Sequence, residues 1–155
     1  MTAAYRSFAY RVDIAVPVER VWRAFTDTRL LVRWCAAGAT IVPREKGRLH
    51  VWFGEVEHDA HIDVLVTAQR LRFILMPTGD MPASGPPRSE AVIIEDLLFE
   101  RSPPASTKLR MLSSGVPSSQ PWVTYYLNKR RYWELALTRL KVFLEKGLDQ
   151  EKPRN

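Results

Sequence analysis

Apolar and polar residues alternate strictly from Phe8 to Val16. Phe8, Tyr10, Val12, Ile14 and Val16 fall on one face, and Ala9, Arg11, Asp13 and Ala15 on the other. A period of two predicts a half-buried strand. Pro17 ends it, because proline lacks a ladder donor yet suits the first turn of a helix, where Glu19 also favours the helix dipole. Val18, Val21, Trp22 and Phe25 then recur at helical spacing and predict a short helix from Pro17 to Thr26. Asp27 can cap a second, Thr28 to Trp34, with Leu30, Leu31 and Trp34 apolar. Strand-like runs follow at Thr40–Pro43, Leu49–Phe53, Ala60–Thr67, Leu71–Met76, Ala91–Glu100 and Thr107–Leu112. Their connections are too short for crossover helices, so they predict an antiparallel meander. Pro77 to Arg88 and Ser113 to Pro121, rich in proline, glycine and serine, read as surface loops.

From Trp122 the pattern becomes helical and stays so. Trp122, Tyr125, Tyr126, Trp133, Ala136, Leu137, Leu140, Phe143 and Leu144 follow i, i+3, i+4, i+7 spacing, and Gly147 is a natural end signal. The polar tail from Asp149 to Asn155 reads as frayed. The order predicts an α+β domain. A curved antiparallel sheet of six or seven strands has one apolar face, and the long C-terminal helix carries the matching stripe.

Composition narrows the setting. At 155 residues the chain fits one domain over 1–155, and 46% hydrophobic with 26% charged residues is ordinary for a globular protein. The lone Cys35 excludes an intrachain disulfide and suits a reducing compartment. The first twenty residues lack the apolar core of a signal peptide, and no apolar run has membrane-spanning length, so a cytoplasmic protein is expected. A net charge of +6 suits an acidic protein partner. Lys129, Arg130 and Arg131 contribute to it and read as a solvated basic face. No zinc-finger, RNA-recognition or basic-zipper motif points to nucleic acid.

Candidate chemistry is sparse. Five tryptophans are many for this length. Aromatic residues bury large areas and wall apolar pockets, so Trp34, Trp52, Phe73, Met111, Trp122, Tyr126 and Trp133 are the candidate ligand-binding residues. Tyr126 and Trp133, seven apart, share a helix face. His58 and His61 sit three apart, which in a strand sends them to opposite faces and argues against a metal site. His61 and Asp63 share a strand face and form a conceivable acid–base pair. There is no phosphate loop, nucleophile elbow or cysteine-nucleophile signature, and no cofactor or metal is expected.

Several segments together have a familiar order. They are Val16-Pro17-Val18-Glu19-Arg20-Val21-Trp22, Phe25-Thr26-Asp27 and Trp34, then Glu95 to Glu100, Thr107 to Met111 with Ser114-Gly115, and Tyr132-Trp133-Glu134-Leu135 leading to Leu140 to Glu145. In this the chain resembles the START-like, helix-grip superfamily (also called SRPBCC or birch-pollen-allergen-like), and within it the homologues of the activator of the heat-shock-protein ATPase. The resemblance implies a cavity between the long helix and the sheet. Family members use it for lipids, sterols, polyketides, hormones or other small apolar molecules. Three readings follow: a non-enzymatic module binding a small apolar molecule, a co-chaperone-like interaction module (a homodimer included), and a cyclase- or hydrolase-type enzyme with a polar group in the cavity.

Overall fold

A computed structural model of the chain describes residues 4–35, 38–54, 56–82 and 92–150. In chain order the elements are β1 (Tyr5–Ile14), α1 (Val18–Thr26), α2 (Thr28–Trp34), β2 (Gly38–Ile41), β3 (Arg48–Phe53), β4 (Val56–Val66), β5 (Arg70–Leu75), β6 (Ile94–Ser102), β7 (Ser106–Pro117) and α3 (Val123–Glu145). A 3-10 turn, Gln120–Trp122, leads into α3, and another, Leu148–Gln150, follows it. The seven strands form one antiparallel sheet in the order β1-β7-β6-β5-β4-β3-β2. This is the helix-grip arrangement. Its long helix lies across the inner face and its two short helices bridge β1 to the opposite edge.

The short helices form where the pattern requires. Pro17 starts α1 without a side-chain cap, and the Asp27 carboxylate caps α2 by accepting the backbone N–H of Arg29 at 2.9 Å. Phe25 meets Trp34 and Phe99 edge-on, and Trp22 also meets Phe99 edge-on, which docks both helices on β6. Trp34 satisfies its ring N–H on the carbonyl of Ala24 at 2.8 Å.

Several expected boundaries move, β4 for example beginning at Val56 rather than Ala60, and two of the shifts change the reading of a segment. The segment from Ser113 continues β7 to Pro117, because it pairs with β6 through Ser113 and Ser114 and with β1 through Val116 and Pro117. Gly115 is there for close approach rather than for a turn. Its φ is +91°, and a Cβ would lie 1.9 Å from the carbonyl oxygen of Val92. Asp149 is also ordered, in contrast to the frayed tail expected. Its carboxylate is buried and takes two bonds from Arg20, at 2.7 and 2.9 Å, while the same guanidinium caps α3 at the carbonyl of Leu144, at 3.0 Å. The desolvation of Asp149 is outweighed by those bonds, which hold its pKa below the usual carboxylate range. Residues 151–155 and 83–91 lie outside the described residues.

The inner stripe of α3 is Tyr125, Lys129, Tyr132, Trp133, Ala136, Leu137, Leu140, Phe143 and Leu144. Two members differ from the sequence expectation. Tyr132 joins the buried face, and so does Lys129, only 2% exposed. The basic run is therefore no continuous solvated face: Arg130 and Arg131 are exposed, and Lys129 enters the core.

Gly115→Ala should lower the unfolding free energy by about 1–3 kcal/mol, since it combines a left-handed backbone with a backbone clash. Urea unfolding compared with the parent chain checks this; an unchanged midpoint would show that β6 and β7 separate without penalty at this point.

Candidate functional site

Strand alternation sends His58, Ala60 and Ile62 of β4 inward, and Glu95, Leu97 and Phe99 of β6 likewise. Two of those inward positions are polar. His58 and Glu95 are each 2% exposed, and Nε2 of His58 lies 3.3 Å from Oε1 of Glu95, a close contact without hydrogen-bond alignment. The other carboxylate oxygen of Glu95 accepts the ring N–H of Trp133 from α3. Lys129, one turn earlier on α3, donates from Nζ to the carbonyl of Glu57 at 2.7 Å and stands 5.3 Å from the Tyr125 ring centre. The core thus contains a histidine, a carboxylate and an ammonium, tied to both layers.

Their protonation follows from burial and mutual charge. Burial raises the pKa of Glu95, but His58, Lys129 and the Trp133 N–H together outweigh it and hold the carboxyl below its usual range. Burial, then the charge of Lys129, pushes His58 below its usual value, so it is neutral at pH 7. Burial lowers Lys129 against the opposing pull of Glu95, Asp80 and Glu57. A buried carboxylate is tolerated where donors and positive charge offset its desolvation, and here the Trp133 N–H and the field of Lys129 act in that direction.

Beside this cluster lies a cavity of about 20 Å³, walled by Phe25, Leu31, Trp34, Leu49, Phe73 and Trp133, with His58, Cys35 and Tyr132 also on its boundary. That is room for about one water molecule. The Cys35 thiol contacts the Tyr132 hydroxyl at 2.9 Å, and burial pushes the thiol's pKa up to about 12, so it is an unreactive neutral group. On the far side of Tyr132 the surface opens into a groove of about 350 Å³ between α3 and the β3–β4 hairpin. It is lined by Gly54, Val56, Asn128, Arg131, Tyr132, Leu135 and Arg139. Tyr132 is the described residue that borders both spaces.

The seven aromatic and sulfur candidates do not converge on one space. Trp34, Phe73 and Trp133 wall the inner cavity. Met111 and Trp122 are fully buried. Trp52 stands on the outer face, 44% exposed, with its indole over Gly38. Tyr126 flanks β1, stacked on Phe8 and bonded to the carbonyl of Ser7 at 3.2 Å. His61 faces away from the core, and Asp63 pairs with Arg72 at 3.4 Å across the sheet. Among the described residues no group of three His, Cys, Asp or Glu is placed to hold a metal ion. The sequence reading missed His58, Glu95, Lys129 and Tyr132. The available signal was phase: each is a polar or amphipathic residue at a position where the surrounding period calls for an apolar one.

Glu95 and Lys129 are buried within each other's field, so removing one changes the electrostatic environment of the other. Glu95→Leu should cost about 3–5 kcal/mol, and adding Lys129→Met should recover most of it. A double-mutant cycle by urea unfolding measures the coupling; additive losses would contradict it. Acid should also unfold the protein early. The folded-state pKa values of His58 and Glu95 both lie below their ordinary values of 6.5 and 4.5. Their contributions are therefore complete above those values and are lost as pH falls through the folded ones. Stability measured from pH 8 to pH 3 should decline from about pH 6.5 downward. A flat profile to pH 4.5 would show that His58 stays accessible to protons.

The comparisons with known proteins agree with this geometry. The family model described as Activator of Hsp90 ATPase homolog 1-like protein matches residues 15–145. Protein MLL2253 from Mesorhizobium loti superposes with a TM-score of 0.74 at 19% identity, over 92% of this chain and 98% of that one. The Aha1 dimer from Colwellia psychrerythraea gives 0.73 at 17% identity, again over 92% and 98%. CalU16 from Micromonospora echinospora gives 0.67 at 21% identity, over 96% and 78%. At these identities the structural likeness shows the fold, and a comparison with curated protein sequences finds no match. The family match spans both short helices, all of the sheet after β1 and the whole of α3, and with it the chain belongs to the Activator of Hsp90 ATPase homolog 1-like family of the START-like, helix-grip superfamily.

Proposed function

We propose that the protein is a non-enzymatic module that binds a small, largely apolar molecule at the groove between α3 and the β3–β4 hairpin. The carrying observation is the position of Tyr132 between that groove and the aromatic-walled cavity. Between the two spaces that Tyr132 borders, volume decides where binding starts. Ligand pockets are usually ~300–1,000 Å³. The inner cavity, at about 20 Å³, is far too small, while the groove, at about 350 Å³, reaches that range. Displacing the Tyr132 ring would join the two spaces and bring Trp34, Phe73 and Trp133 into contact with a ligand. The same volumes weigh against the enzyme reading, since His58 and Glu95 border a space that has no room for a substrate.

The co-chaperone reading has support of a different kind, the family description itself. Its electrostatic basis narrows to Arg130 and Arg131, because Lys129 is buried. Stimulation of a chaperone ATPase that is insensitive to blocking the groove would favour it.

Titration with N-phenyl-1-naphthylamine, a neutral fluorescent probe, should give saturable, blue-shifted emission. Leu135 is 45% exposed, so Leu135→Trp should fill the groove without disturbing the core. The substitution should weaken binding by about tenfold or more with an unchanged melting temperature. Absence of binding to the parent chain, or equal binding by the variant, would overturn the groove reading.

A further inference from the structure

We propose that the outer face of the sheet carries a second site. It takes a small molecule with one oxyanion (a sulfonate, carboxylate or phosphate) on a flat apolar body. The oxyanion sits between Arg11 and Arg110, and the body lies on Ala9, Leu98 and Leu112. The site is independent of the groove beside α3.

Strand register sets two arginines side by side. Arg11 of β1 is the direct partner of Arg110 on β7, and Arg110 is in turn the partner of Leu98 on β6. Cross-strand partners stand about 5 Å apart at Cβ, where like charges destabilise the sheet. Other arginines on this face have aspartate partners: Arg11 has Asp13, Arg48 has Asp59, Arg70 has Asp96 and Arg72 has Asp63. Arg110 is exposed and makes no hydrogen bond or ion pair among the described residues. Two aspartates flank the pair, and both are engaged. Asp96 accepts from Arg70 with both oxygens, at 3.1 and 2.8 Å, and Asp13 meets Arg11 at 3.3 Å. The latter contact is more than half exposed at both ends, so water screens it and Arg11 can share an incoming anion. Lys108, next on this face of β7, stands opposite Asp13 and Glu100, so the excess positive charge centres on Arg110.

The floor beside the arginines is apolar and open. The next rung pairs Leu112 with Ala9 on one side and Asp96 on the other. Leu98 and Leu112 are 43% and 47% exposed, and the short side chain of Ala9 keeps the floor low beside them. With the two arginines they line a groove of about 390 Å³, within the ~300–1,000 Å³ of small-molecule sites. Guanidinium groups meet planar or tetrahedral oxyanions with paired N–H donors. An anion between Arg11 and Arg110 adds two attractions that offset their mutual repulsion. Size favours a small molecule over a protein. A stable protein interface covers about 800 Å² on each partner, and the arginines beyond the groove are already paired within the chain.

Naphthalene-2-sulfonate is a suitable probe, and 2-naphthol, the same ring system with a neutral hydroxyl, is its comparison. Amide chemical shifts followed by NMR locate each one. The sulfonate should perturb Ala9, Arg11, Leu98, Arg110 and Leu112, and at low salt should bind about tenfold more tightly than the naphthol. Leu135→Trp, which fills the α3 groove, should leave these shifts unchanged. Arg110→Gln should weaken sulfonate binding about tenfold. It also removes the repulsion with Arg11, so the ligand-free variant should melt about 1–3 °C above the parent chain. Lys108→Gln removes an equal charge from the same strand and face outside the groove lining, and should leave binding within about twofold. No shifts at the five residues, equal affinity for the naphthol, or an equal loss in Lys108→Gln would overturn the site. Shifts confined to α3 and the β3–β4 hairpin would overturn it while the groove reading stands. A ligand-free Arg110→Gln that melts below the parent would overturn the repulsion on which the site rests.

Discussion

The charge on Glu95 is the constraint around which the rest of the core is arranged. A carboxylate in the centre of a small domain is tolerated only when donors and opposite charge surround it. Here they come from α3, where Trp133 donates its ring N–H and Lys129 adds its field, while His58 on β4 lies 3.3 Å from the other carboxylate oxygen. An apolar stripe alone would let α3 slide or rotate along the sheet with modest loss. The Trp133 bond to β6 and the Lys129 bond to the backbone of β4 each accept one position only, so they set the register of helix on sheet.

That register in turn decides what space is left. With Trp133 held down on Glu95, the adjacent Tyr132 turns toward α2 and the β3–β4 side, where it contacts Cys35 and stacks near His58 at 4.8 Å. Its ring closes the interior from the groove. The shape of both spaces is thus set by a polar interaction inside the core, and under the proposed reading the aromatic walls would serve core stability and ligand contact together. The same tyrosine that completes the packing is the side chain that binding would have to move.

The architecture was legible in the sequence because each element carries its own period. The alternation of β1 and the Pro17 and Asp27 signals appear as read, and so does the stripe of α3 apart from Tyr126, Lys129 and Tyr132. The site was less legible, for reasons that differ by residue. Lys129 sits in a run of three basic residues, and a run suggests solvent; only its phase with Tyr125 and Trp133 shows otherwise. His58 precedes the part of β4 where alternation is obvious, and the strand in fact begins at Val56. Trp52 was chosen for its size although the alternation of Leu49 and Val51 already sets it on the opposite face. Serine and glycine at 113–115 suggest a loop by composition, whereas they lie within a strand and the tight passage past Val92 needs the glycine at 115. Phase, where it conflicted with composition, was the better guide.

The long helix also acts on the rim of the sheet. Its side chains reach backbone groups of the first strand and the residue after it: Tyr126 meets the carbonyl of Ser7, Lys141 that of Asp13, and Glu145 accepts the N–H of Ala15. These are groups that an incoming strand from a second molecule would otherwise use. At the opposite border the exposed strand has only four residues, and the Thr28 hydroxyl of α2 bonds both backbone groups of its last residue, Ile41. Growth of the sheet from chain to chain is therefore hindered at both ends, so contacts between copies are directed to side-chain surfaces and the protein is protected against edge-to-edge polymerisation.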